Sequence, residues 1–124
     1  MFEEALGTEH YEVGALLHTL AAVHSKKGQL EEAESTYRRA LAIKENALGA
    51  AHPDLAATLN NLALIWHKSG RYELARPAYR RCLALIAAQT GEAEHPLRRA
   101  CLHNLTKMLA AEAGRGDEVG GPPP

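Results

Sequence analysis

Long apolar runs, a cysteine framework and a basic excess are all missing from this sequence, and each absence closes off a class of function. No apolar stretch approaches the ~20 residues that a membrane-spanning helix needs. Two cysteines, Cys82 and Cys101, are too few in 124 residues for a disulfide scaffold. The formal net charge is −1, from 14 Lys and Arg against 15 Asp and Glu, without the positive excess of a nucleic-acid binder. Aromatic residues are few, with one Trp, one Phe and four Tyr, which argues against stacking platforms for RNA bases. There is no Cys-x-x-Cys, no glycine-rich phosphate loop and no Gly-x-Ser-x-Gly, so no catalytic constellation is present and an enzyme is not expected. The opening segment MFEEALGTEH is acidic and has no apolar signal-peptide core, which makes a cytoplasmic location the expectation.

What the chain does have is repetition. At a shift of 42 residues Leu6-Gly7 matches Leu48-Gly49, His10 matches His52 and Leu20-Ala21 matches Leu62-Ala63. Gly28 then matches Gly70, Ala33 matches Ala75, and Tyr37-Arg38-Arg39 matches Tyr79-Arg80-Arg81. At a further shift of 43 a shorter third copy begins with His95-Pro96 and carries Asn104-Leu105 where the second has Asn61-Leu62. Self-similarity at a fixed period is the mark of a solenoid.

Each copy reads as two amphipathic helices joined by a glycine turn. The first helix is expected over residues 11–27, with Val13, Leu17, Leu20 and His24 on one 3.6-residue face and Gly28 as its stop. Its partner follows over 30–47, with Leu30, Ala33, Tyr37, Ala40 and Leu41 inward. In the second copy Leu55, Leu59, Leu62 and Trp66 form the buried stripe, Gly70 breaks the helix, and Tyr72, Ala75, Tyr79, Cys82, Leu83 and Ile86 face inward from the next. Pro53 suits a first helical turn, where its missing N–H costs nothing. The third copy has only its first helix, over 97–112, with Leu102, Leu105 and Leu109 in register and Leu102 and Leu109 short of cover. The expected organisation is a remnant of a preceding helix at 1–5, a first repeat at 6–47, a second at 48–89, a half repeat at 90–113 and a disordered Gly/Pro-rich tail at 114–124. Arg115-Gly116-Asp117 in that tail is read as a chance tripeptide.

The order and spacing of Leu62-Ala63, Trp66, Gly70, Tyr72, Ala75, Tyr79 and Leu83 resemble the tetratricopeptide repeat. The common repeat of that family is ~34 residues; the longer period and the phrase ALGAAHPDLAATLNNLALIWHKSGRYELARPAYRRCLAL look like the kinesin-light-chain type. The resemblance implies an all-α, right-handed solenoid of antiparallel helix pairs with about two and a half repeats. It also implies a protein-interaction module whose concave groove binds an extended peptide, with asparagines such as Asn61 and Asn104 holding the peptide backbone. Departures from the pattern are Thr19 in place of the asparagine, Tyr11 in place of Pro53 and Pro96, and the missing last helix.

The face opposite the apolar stripe supplies the candidate groove: His18, Thr19 and Lys26 from the first copy; Asn60, Asn61, Leu64, His67 and Lys68 from the second; His103, Asn104 and Lys107 from the third. One lysine per copy and no carboxylate among these residues point to an acidic peptide segment, because a concave surface of one charge sign attracts the opposite sign. The three histidines, with ordinary pKa near ~6.5, add an expected gain in binding as pH falls from about 7.5 to 6. His10, His52 and His95 recur once per copy in the inter-repeat segment, and a helix-pair width of ~10 Å keeps them from sharing a metal; local hydrogen bonding ahead of each helix is the expectation. No cofactor, metal, nucleic-acid or membrane partner is called for. The alternative to peptide binding is a truncated structural unit that acts within a larger array, or through self-association as a homodimer via exposed solenoid ends, since about three capped repeats are usually needed for a stable array.

Overall fold

The structure, a computed structural model, describes residues 2–90 and 95–119, and the side chains of 10–88 and 95–114. Five helices follow one another: α1 (Phe2–Lys26), α2 (Leu30–Leu48), α3 (Leu55–Lys68), α4 (Tyr72–Thr90) and α5 (Pro96–Val119), and no strand occurs among the described residues. α1 packs on α2 and α3 on α4, while α2 against α3 and α4 against α5 join successive pairs. This is the all-α repeat stack expected from the period.

The two helix-to-helix turns are built alike. Gly28 and Gly70 take φ of +78° and +79°, a left-handed conformation that glycine enters without steric cost. After α1 the N–H of Gln29 donates to the His24 carbonyl at 2.9 Å and that of Gly28 to Ser25 at 3.0 Å. After α3, Arg71 donates to Trp66 at 2.8 Å and Gly70 to His67 at 3.0 Å. This doubled cap satisfies carbonyls that the helix end would orphan.

Small residues decide how closely the helices pair. Ala21 and Ala33 in the first pair, and Ala63 and Ala75 in the second, are all fully buried, with Tyr37 and Tyr79 at 2% and 0% exposure beside them. Leu55, Leu59, Leu62 and Ile65 of α3 lie between α2 and α4 in the two core clusters. Ion pairs tie each pair to the next at the surface: Glu34 accepts from Arg71 at 2.9 and 3.0 Å and from the Trp66 indole at 2.9 Å. Arg81 pairs with Glu45, and Arg76 with Glu112.

Three expectations need correction. α1 does not start near residue 11; it runs unbroken from Phe2, so residues 2–5 are its first turn and no separate helix remnant is seen there. Tyr11 replaces the proline that opens the later copies, and without proline the backbone keeps its N–H and continues the helix. The apolar stripe expected for α1 mixes two faces: Gly14 and Ala21 are buried, whereas Val13 and Leu20 are 39% and 46% exposed. At the other end Gly114 does not stop α5, which reaches Val119, because glycine inside a helix costs ~1 kcal/mol against alanine and does not forbid it; residues 120–124 lie outside the described residues. In α5 the buried side is carried by Cys101 and Met108 at 0%, while Leu102 and Leu109 are 37% and 45% exposed.

Ala75→Leu adds three carbons at a fully buried crossing and is expected to destabilise the fold by about 1–3 kcal/mol. Ala84→Leu, at an exposed position of the same helix, is expected to be neutral. Thermal unfolding followed by circular dichroism compares the two; equal melting temperatures would contradict the helix pairing.

Candidate functional site

The first helices of the successive pairs, α1, α3 and α5, form one layer, and polar side chains bridge them. Between α1 and α3 the Asn61 amide nitrogen lies 3.4 Å from His18 Nε2, and His18 Nδ1 lies 2.9 Å from the Thr58 hydroxyl. The His18 ring also meets Tyr37 edge-on at 5.4 Å. A neutral ring donates at one nitrogen and accepts at the other, so Asn61 donates to Nε2 and Nδ1–H donates to Thr58. Burial first and Lys44 second hold the His18 pKa below 6.5. Between α3 and α5, Asn104 donates to Asn60 Oδ1 at 3.2 Å.

Lys44 and Thr58 were not among the residues read from sequence as functional. Lys44 reaches from α2 into this layer and donates to Thr58 Oγ1 at 3.2 Å, with its residue only 7% exposed and Thr58 at 0%. Burial lowers the Lys44 pKa and the Asp54 carboxylate opposes that shift. Gly14 makes room for it: a Cβ there would sit 3.0 Å from Lys44 Cγ and 3.2 Å from Ile43 Cγ2. A signal existed. Lys44 stands where the second copy has Ile86, and Thr58 where the others have Leu16 and Cys101, so both are polar at apolar positions of the repeat.

The candidate groove residues divide by exposure. Thr19, Lys26, Lys68, His103 and Lys107 are exposed; His18, Asn61, Leu64, His67 and Asn104 are half-buried. Asn60 is 6% exposed and its amide oxygen is taken by Asn104. Thr19 donates back to the Ala15 carbonyl of its own helix at 3.2 Å. Asn61 also hydrogen-bonds the Tyr37 hydroxyl, which opposes the upward push of burial on that phenol. The equivalent phenol, Tyr79, has no hydrogen-bond partner among the described residues and its pKa is pushed well above 10 by burial. His67 lies 6.0 Å from the Tyr72 ring, and burial, then Lys107, then Lys68 hold its pKa below 6.5. For His18 and His67, the expected charging between pH 7.5 and 6 is therefore displaced to lower pH.

The inter-repeat histidines do local work. His52 Nδ1 accepts the Asp54 N–H and His95 Nδ1 accepts the Leu97 N–H, each at 3.1 Å, satisfying donors at the starts of α3 and α5. Among the described residues no group of three His, Cys, Asp or Glu could hold a metal. Cys82 and Cys101 are free and buried, and Cys101 donates to the Tyr79 carbonyl at 3.4 Å. No helix among the described residues is long and apolar enough to cross a membrane.

A family model for the tetratricopeptide repeat matches residues 1–46, 12–88 and 54–118. The chain belongs to the tetratricopeptide-repeat family. A crystal structure of kinesin-light-chain TPR-like repeats from Podosopora anserina is similar to it at 30% identity and a TM-score of 0.64, over 84% of this chain and 49% of that one. The chain thus spans about half the length of that structure, and its repeats are of the kinesin-light-chain type. No curated protein matches the chain. Tetratricopeptide repeats generally mediate protein–protein interaction and are generally non-enzymatic scaffolds.

The depressed His18 pKa has a consequence for stability. Below pH 6.5 the unfolded chain takes up a proton at this histidine more readily than the folded chain. The stability it contributes is full above pH 6.5 and is lost as pH falls towards the folded value. His67 acts with the same sign. His18→Gln is expected to flatten, without abolishing, the fall in melting temperature between about pH 6.5 and 5; parallel curves for wild type and variant would contradict the assignment.

Proposed function

We propose that the layer formed by α1, α3 and α5 binds an extended acidic peptide segment of a partner protein. One observation carries the reading: Lys26, Lys68 and Lys107 are exposed, one on each first helix, and none has a carboxylate partner among the described ion pairs. The lysines steer the ligand. The half-buried Asn61 keeps its carbonyl oxygen, and Asn104 a second N–H and its carbonyl oxygen, for a peptide backbone, since an amide has two donors and two acceptor sites. Leu64, half-buried between them in sequence, offers apolar contact. The reading places the protein in the cytoplasm as a scaffold.

Self-association through the solenoid ends is a second reading, favoured by Leu16 at 69% exposure on α1.

Matched acidic and basic peptides, titrated at low and high salt, test the first reading. The acidic peptide should bind more tightly, lose affinity as salt rises, and bind Lys107→Ala less tightly with unchanged melting temperature. Equal affinities, or preference for the basic peptide, would overturn it.

A further inference from the structure

One apolar surface of the stack has no partner among the described residues. Val13, Leu16, Leu20 and Val23 of α1 are equivalent, at the 42-residue shift, to Leu55, Thr58, Leu62 and Ile65 of α3. In α3 these are buried to 0–1% exposure, with Leu62 and Ile65 in one cluster with Ala33 and Tyr37 of the preceding helix α2. In α1 the same positions are 39%, 69%, 46% and 43% exposed. This is the face by which one repeat stacks on the helix before it. No helix among the described residues covers this stripe.

The stripe has the form of a two-helix seam. Its steps of three, four and three residues are the a/d spacing that lets one helix knob into another. At the N-terminal end Val13 also opens on a groove of about 860 Å³ shared with Ala42 and Ile43 of α2. Charge is graded along the same edge. Glu12 precedes the stripe and Lys26 follows it, two heptads apart on the side facing the groove layer, with uncharged Thr19 between. In a parallel pair of α1 helices this edge would lie against the partner's Leu17 and His24 edge, leaving Glu12 and Lys26 without opposite charges. An antiparallel pair sets Glu12 of each copy beside Lys26 of the other and opposes the helix dipoles.

We propose that α1 is a self-association face, on which a second copy of this chain docks its own α1 antiparallel through Val13, Leu16, Leu20 and Val23, flanked by two reciprocal Glu12–Lys26 pairs. The contact is isologous, so it closes at a dimer and does not propagate. It deepens the self-association reading and shares only Lys26 with the peptide reading, which keeps Lys68 and Lys107; self-association is read out by mass and peptide binding by affinity, so the two can fail separately.

The test is light scattering of the full chain across a dilution series. The mass should rise with concentration from 13.4 kDa towards twice that value. Leu16→Glu, at a position already exposed in the single copy, should stay at the single-chain mass with unchanged helicity. Glu12→Lys should weaken the dimer, and the double variant E12K/K26E, which restores opposite charges across the two-fold axis, should recover it. A single-chain mass at every concentration overturns the proposal, as does a dimer that survives Leu16→Glu. A dimer equally stable in wild type, Glu12→Lys and the double variant overturns the antiparallel register, while leaving self-association itself standing.

Discussion

Close approach between paired helices is the constraint on which the stack depends, and alanine at the crossings is what permits it. With Ala21 against the helix bearing Ala33, and Ala63 against that bearing Ala75, every one fully buried, the backbones come near enough for Tyr37 and Tyr79 to fill the space beside them. A larger residue at any crossing would push the helices apart and open voids around the tyrosines, and interiors at crystal-like density tolerate neither. The glycine turns matter for the same reason: they reverse the chain within three residues while capping the helix they end, so that the partner helix starts already alongside.

The groove layer inherits its order from that packing. α3 is buried on two sides, by α2 and by α4, and the faces left to it are the one that meets α1 and α5 and the one that meets solvent. Polar bridges occupy the first, from Lys44 through Thr58 to His18 and Asn61, and from Asn104 to Asn60. Buried polar groups are tolerable only when paired, and here the pairing also fixes neighbouring first helices in register. One cost is visible. Asn61 serves the Tyr37 hydroxyl, whereas its counterpart Asn104 turns to Asn60, and the Tyr79 hydroxyl is left unpaired among the described residues.

Much of the fold was legible in the sequence because a repeat reports its own structure twice. Gly28 and Gly70, Ala33 and Ala75, and Tyr37 and Tyr79 each do the same task in both copies. The misreadings fall where repetition fails. Tyr11 in place of proline let α1 run on to Phe2. The stripe expected on α1 assumed that every apolar position is covered, yet Val13 and Leu20 belong to a stacking face with no preceding helix among the described residues. Groove membership was read from helical angle alone, which cannot distinguish Asn60, pressed against α5, from Asn61 one residue on. Lys44 was passed over because a lysine on an amphipathic helix is ordinarily solvated; its burial depends on Gly14 of another helix, a long-range fact.

Peptide binding in the proposed groove requires that the first helices, and not the second, present the binding surface. Amide-resonance mapping by NMR, with an acidic peptide added to the full chain, tests it most directly. Perturbed amides are expected to cluster on α1, α3 and α5 around Thr19, Leu64, Lys68, His103 and Lys107. Perturbations confined to α2 and α4 would contradict it.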